Sequence, residues 1–374
     1  MATVHSDSAI APDDEGPGEA AAVVSFAVER ARLVQPSWAQ NSAQERAAIA
    51  RRFSSLVLKS QEQILDVITQ ETHKNRLSAF EEVLDVTLLA AYYAGTAPKL
   101  LRPVRRRGAV PGLTRTTQSA QPRGVVGVIT PWNYPFTLPA SDSLPALLAG
   151  NAVILKPDEA TQRSAALVAD LLAQAGLPEG LFQIVHGSGP SEGAALVRAV
   201  DFVQFTGSTA TGRLVAAACG ELLAPMSCEL GGKNVMVVLS DADVEAAADG
   251  AVRACFSTSG QLCVSMEKIY VHRDLEGAFT QAFVRRVQAM RIGPGSDWDI
   301  DMGGLISTEH LHKVMSHVED AVAKGARVLT GGRRRPDLGP TFMEPTVLAA
   351  VSEEKTSCSP ETFGPGVSLA TLAS

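Results

Sequence analysis

A cysteine sits among small polar residues in Ser259-Gly-Gln-Leu-Cys-Val-Ser265, just after the apolar run AVRACF and just before KIYVH. Cys263 reads either as a small core residue or as a nucleophile, since a thiol that follows a glycine-containing turn can project into a cleft and its own amide can face a developing oxyanion. Cys219, Cys228 and Cys255 have apolar or mixed surroundings and Cys358 a loop-like one, and these read as small packing residues. No histidine neighbours Cys263 in the sequence, so any base must be a neighbour in space. Glu229 stands directly before Leu230-Gly231-Gly232, a carboxylate followed by backbone that can turn tightly against something close by.

Further polar signatures follow short apolar runs: TPWNYP after GVVGVI, KPDEAT after NAVIL, and FTGSTATG within and after FVQF. In open parallel sheets such positions lie at the carboxyl ends of strands, where ligands bind. Lys156 and Glu159 read either as charges at a helix start or as a pair for a ribose, the carboxylate accepting both hydroxyls while the ammonium binds a hydroxyl oxygen. Gly207 and Ser208, feeding a helix, offer amides and a hydroxyl to a pyrophosphate or form a simple tight turn. GSTATGR ends in Gly212-Arg213 where a triphosphate loop needs Gly-Lys-Ser/Thr, which excludes that chemistry; HGSGPSEG is an imperfect GxGxxG.

These residues need a scaffold of alternating elements. Residues 1–18 are small, acidic and aperiodic and read as a disordered lead. Helices dominate to about residue 98, with Ser42 and Glu45 as a capping box and a long helix over SAFEEVLDVTLLAAYYAGT. Residues 109–122 lack a core face and read as an exposed extended arm that needs a partner. Apolar strands then alternate with helical segments, the pattern of a parallel sheet covered on both faces, and it restarts after residue 230 with NVMVVLS.

The chain has 374 residues, 45% apolar and 20% charged, so two soluble globular domains are expected. A net charge of -7 argues against a polyanion-binding face, and RPVRRRG at 102–108 lacks the interleaved aromatics of a nucleic-acid site. Five cysteines without a CxxC pair fit neither a disulfide framework nor structural zinc, and no metal site is expected. Neither a signal peptide nor an apolar run long enough for a membrane is evident, so a cytoplasmic location is expected.

Taken in order, TPWNYP, KPDEAT, FTGSTATG, CELGGKN, SGQLCVS and PETFGP resemble the aldehyde dehydrogenase superfamily over about residues 28–367, with closest similarity to bacterial succinate-semialdehyde dehydrogenases. The resemblance implies an α/β fold: a Rossmann-like cofactor domain (19–101 and 123–230), an oligomerisation arm (102–122) and a catalytic domain (231–374). It implies NAD(P)-dependent oxidation of an aldehyde through a thiohemiacetal and thioester on Cys263. Asn133 becomes a donor to the oxyanion and Glu229 the base for hydrolysis. Trp132, Lys156 and Glu159 fall on the adenosine-ribose side, Gly207 and Ser208 on the pyrophosphate, and Glu361 with Phe363 around the nicotinamide. Repulsion between Glu159 and a 2′-phosphate predicts NAD as the preferred cofactor, with NADP as the alternative. A homo-oligomer is the family expectation.

The family continues well beyond ETFGP, whereas this chain ends nine residues after Pro365. The expectation is therefore a catalytic domain incomplete at its C-terminus, and an isolated chain that aggregates or stays a loose, weakly active monomer. The competing functions are an inactive nucleotide-binding or co-assembling fragment and a thioesterase-like hydrolase that uses Cys263 and Glu229 without a redox step.

Overall fold

The computed structural model describes residues 17–110, 112–295, 297–350 and 361–372. The fold divides into two compact units, one of residues 1–64 and 82–229 and the other of residues 65–81 and 230–374. Most of the expected N-terminal lead lies outside the described residues, and helix α1 (Pro17–Gln40) begins within its last two positions, with proline where its missing N–H costs nothing.

In the first unit, α2 (Ala43–Lys59) starts at the expected capping box: Glu45 N–H donates to Ser42 Oγ at 3.2 Å and Ser42 N–H donates to the Glu45 carboxylate at 2.7 Å. Helices α3 (Gln61–Thr72) and α4 (Arg76–Leu100) both run across the division of the units. The arm is a two-stranded antiparallel ribbon of β1 (Val104–Arg106) and β2 (Thr116–Gln118), exposed at every residue, rather than a single extended strand.

The sheet beyond it is built from β3 (Val125–Ile129), β4 (Ala152–Lys156), β5 (Phe182–Ile184), β6 (Phe202–Gly207) and β7 (Met226–Leu230). Helices α5 (Thr137–Leu148), α6 (Gln162–Gln174), α7 (Ala194–Ala199) and α8 (Thr209–Leu222) connect the strands. Every residue of β4 is buried, as is nearly all of β3, because helices cover both faces. The strand order is β5-β4-β3-β6-β7, and the first four are parallel. The strands are added towards one edge from β3 to β5 and on the other side of β3 from β6 onwards, and this switch between two parallel neighbours creates a crevice beyond their carboxyl ends.

The second unit has the order β10-β11-β12-β9-β8, from β8 (Asn234–Val238), β9 (Met266–His272), β10 (Arg327–Thr330), β11 (Thr346–Ala349) and β12 (Gly366–Leu372). Only β10 pairs antiparallel. Helices α9 (Val244–Phe256) and α10 (Glu276–Ala289) bury Cys255, Phe256, Phe279 and Phe283 against this sheet, and α11 (Thr308–Ala323) carries Leu311, Val314 and Met315 into a smaller cluster.

Residues 65–81, expected with the cofactor domain, group with the second unit. The cause is polar as much as apolar: Asn75 Nδ2 donates to the carbonyls of Ile300 (2.8 Å) and Asp301 (3.2 Å), and Gly304 N–H donates to His73 O at 2.9 Å. Among the described residues no helix is long and apolar enough to cross a membrane.

One turn of α4 further on, in the first unit, Glu82 is fully buried and accepts the amides of Phe136 and Thr137, both at 3.0 Å, where α5 begins. This contact fixes the segment that carries Asn133. Glu82→Ala leaves two buried amides without that acceptor and is expected to cost about 2–4 kcal/mol, measured by urea denaturation, with Glu82→Gln losing less. An unchanged midpoint for Glu82→Ala would remove Glu82 from this role.

Candidate active site

The first unit gathers six of the expected residues at the carboxyl ends of its strands: Trp132 and Asn133 after β3, Lys156 and Glu159 at and after β4, and Gly207 and Ser208 at the end of β6. Ser208 is the N-cap of α8 in extended backbone (φ -67, ψ 148), its hydroxyl accepting Thr211 N–H at 3.2 Å. The opening turn of α8 leaves amides available to an anion. A Cβ at Gly207 would stand 2.7 Å from the Phe205 ring, so glycine lets the strand end pass that side chain. The HGSGPSEG segment does a different job: Ser188 caps a short turn over Gly189–Gly193, and the Glu192 carboxylate folds back onto Ser188 N–H at 2.7 Å.

Lys156 is 5% exposed; its carbonyl accepts Thr130 N–H at 3.2 Å, while its ammonium makes no hydrogen bond or ion pair with any described residue. Burial pushes its ammonium below the usual lysine range, against the pull of Asp158, Glu159 and Glu192. Glu159 is exposed. A buried ammonium without a hydrogen-bond partner in the described structure, together with a helix N-terminus at the switch point, fits the hydroxyls and pyrophosphate of a dinucleotide.

Glu229 is exposed at the end of β7. Asp142, on α5, is a neighbour that sequence reasoning missed: its carboxylate accepts Thr206 Oγ1 at 2.9 Å and Ser141 Oγ at 3.2 Å. Burial raises the Asp142 carboxyl above its ordinary range, the hydroxyls oppose that, and the Glu229 charge adds to it.

In the second unit Cys263 is exposed, whereas burial pushes the Cys255 thiol up to about 12 and also raises Cys219 and Cys228 in the first unit. Cys358 lies outside the described residues. The turn before Cys263 is left-handed at three successive positions, Thr258 (φ 52), Ser259 (φ 56) and Gly260 (φ 70). It is buried and tied on several sides. Thr258 N–H donates to Ser78 Oγ at 3.1 Å, and Ser259 Oγ donates to Gly303 O at 3.0 Å and Gly304 O at 3.3 Å. Gln261 Oε1 accepts Ile306 N–H at 3.0 Å. Beyond the turn, Asn234 Nδ2 donates to Cys263 O at 2.6 Å and Ser265 O at 3.0 Å.

The segment bearing Glu361 and Phe363 packs against the same turn, since a Cβ on Gly260 would collide with the Gly364 carbonyl. It also explains the paired glycines after Glu229: a Cβ on Gly231 would collide with the Glu361 carboxylate. Burial raises the Glu361 carboxyl above its usual range, the Glu267 charge adds to this, and a backbone hydrogen bond from Gly232 with the ammonium groups of Lys313 and Lys233 opposes it. Phe363 adopts φ 56, and its carbonyl accepts His310 Nε2–H at 2.7 Å. Lys233, Asn234 and Glu267 were not singled out from the sequence; the bare letters of CELGGKN and of VSMEKIYVH carry no spacing that marks them.

Residues 15–374 match the model of the aldehyde dehydrogenase family. A Mycolicibacterium smegmatis protein provisionally named succinate-semialdehyde dehydrogenase, NADP(+), is 50% identical over 346 residues, 92% of this chain and 67% of that protein. Among solved structures, succinate-semialdehyde dehydrogenase from Burkholderia pseudomallei has a TM-score of 0.90 at 34% identity, covering 95% of this chain and 73% of the other. Betaine aldehyde dehydrogenase from Staphylococcus aureus, solved with NAD+, has a TM-score of 0.87 at 31% identity over 96% of this chain and 71% of the other. The match over nearly the whole sequence agrees with a doubly wound sheet and an exposed, turn-mounted cysteine: the chain belongs to the aldehyde dehydrogenase family, oxidoreductases that act on aldehydes.

Proposed function

We propose that this protein oxidises succinate semialdehyde to the dicarboxylate with Cys263 as nucleophile. The observation that carries the reading is the exposed thiol at the end of a buried, hydrogen-bonded left-handed turn, in a chain whose relative from M. smegmatis and structural neighbour from B. pseudomallei bear that substrate's name. The Cys263 thiolate adds to the aldehyde carbon; a C–S bond forms and the carbonyl π pair moves to oxygen. The Cys263 amide and the Asn133 side chain are the donors proposed for that oxygen. When bound, a nicotinamide nucleotide would supply the acceptor for the hydride that the aldehyde carbon loses as its oxygen re-forms the carbonyl, leaving a thioester on Cys263. Glu229 then takes a proton from water as the water adds to the thioester, and breaking the C–S bond returns the thiolate. Trp132, Lys156, Glu159, Gly207 and Ser208 are assigned to the nucleotide's adenosine and pyrophosphate, and Glu361 with Phe363 to its nicotinamide side. A cytoplasmic site of action goes with this reading, on the five cysteines without a CxxC pair.

We also infer that NADP(+) is used at least as well as NAD+. Repulsion by Glu159 was the ground for expecting NAD, but an exposed carboxylate is screened and free to turn away, while Lys156 offers a buried cation to a phosphate. The NADP(+) in the M. smegmatis relative's name points the same way.

Cys263→Ala is expected to lower succinate-semialdehyde oxidation by at least about a thousandfold while nucleotide affinity stays within about twofold. Ester hydrolysis surviving that substitution would assign the chemistry elsewhere. Glu229→Gln should retain a first-turnover burst of reduced nucleotide and lose steady-state turnover by about a hundredfold; equal loss of both phases, followed by stopped-flow absorbance, would give Glu229 an earlier role. For cofactor choice, kcat/KM with NADP(+) should equal or exceed that with NAD+, and Lys156→Met should depress the NADP(+) value by about tenfold, more than the NAD+ value. A tenfold preference for NAD+ in the unmodified protein would restore the argument from Glu159.

A further inference from the structure

The pairing of β8 with β9 skips one residue: Asn234 lies opposite Met266 and Val235 opposite Lys268, so Glu267 has no partner across the ladder. The bulge leaves Glu267 on the buried face with Ile269 and Val271 but without a neighbour on β8. Glu267 is 5% exposed, and its carboxylate serves a distant segment: Oε1 accepts the amides of Thr362 and Phe363, both at 2.9 Å, and Oε2 accepts Thr362 N–H at 3.0 Å and the Lys233 ammonium. Lys233 Nζ also reaches Thr362 Oγ1 at 3.3 Å, which lies 3.2 Å from His317 Nδ1. A carboxylate this enclosed persists only where its charge and lone pairs are matched, and Lys233 with two amides supplies the match. Asn234, adjacent to Lys233, holds the carbonyl of Cys263, so one dipeptide fastens both the cysteine loop and the carboxylate that grips the later segment.

We propose that Glu267 is a positioning residue that sets the Glu361–Phe363 segment relative to the Cys263 loop. Its catalytic meaning rests on the reading of Glu361 and Phe363 as nucleotide ligands; its structural meaning does not. The test is amide hydrogen exchange by mass spectrometry on the full chain, combined with steady-state kinetics. Glu267→Ala should speed exchange of the peptide spanning 361–365 by tenfold or more and leave peptides from β3 to β6 unchanged. KM for NADP(+) should rise about tenfold, with kcat falling less than threefold. Glu267→Gln keeps an acceptor oxygen but loses the ion pair, and should fall between the two. Adding Lys233→Met to Glu267→Gln should cost little more than the worse single change. Should Glu267→Ala not fold, Glu267→Gln carries the same comparison. Wild-type exchange at 361–365 in a folded Glu267 variant, or exchange raised equally throughout the second unit, overturns the assignment. Glu361→Gln serves as control: an unchanged KM there, with 361–365 loosened by Glu267→Ala, removes the nucleotide reading of Glu361 and keeps the positioning role.

Discussion

The backbone at Thr258, Ser259 and Gly260 is the constraint on which the placement of the Cys263 thiol depends. Two consecutive non-glycine residues in left-handed conformation each cost on the order of 1 kcal/mol or more. The hydroxyls of Ser78 and Ser259 and the amide of Gln261 hold the turn in that state, each bond contributing about 1 kcal/mol and each otherwise leaving a buried polar group unmatched. Strain of this kind survives only where the surroundings over-determine it. The return is an exposed thiol on a backbone that cannot relax away, with Gly260 thin enough for the Gly364 carbonyl to lie against it.

The first unit presents a different set of groups at its strand ends, with few cations among them. Its strand ends contribute one buried ammonium, one helix N-terminus and an exposed carboxylate. Burial keeps Lys156 poised to gain from any anion or hydroxyl that reaches it, because water no longer competes well at that position. Asp142 shows the same logic with opposite sign. Burial and the nearby Glu229 charge raise its carboxyl above the ordinary range, and the Thr206 and Ser141 hydroxyls oppose that shift.

What the sequence made legible was whatever depends on neighbours in the chain. The Ser42–Glu45 box, the apolar strands and the helix over SAFEEVLDVTLLAAYYAGT all appear, because capping, side-chain period and propensity act within a few residues. The glycine in SGQLC was legible as freedom; the left-handed Thr258 and Ser259 were not, since their conformation is imposed by Ser78 and Gly303, far away in sequence. The same cause hid the assignment of residues 65–81 to the second unit and the hairpin form of the arm, which needed β1 to be seen as a partner for β2. Glu267 was illegible for a further reason: alternation sets it with the buried Ile269 and Val271, and what it does there depends on the amides of Thr362 and Phe363, far away in sequence.

The register skipped between β8 and β9 limits how this part of the sequence can drift. Side chains in a strand alternate faces, so losing one residue between Cys263 and Ile269 would exchange the inward and outward sets on one side of the deletion. Ile269 and Val271 leave the core, or the loop carrying the thiol turns with its neighbours. Point substitutions here can be absorbed singly, whereas a change of length must be answered at once by β8, the 361–365 segment and the cysteine loop. Divergence in this stretch is therefore confined to exchange of residues at fixed spacing, even while the exposed ribbon of the arm is free to lengthen or shorten.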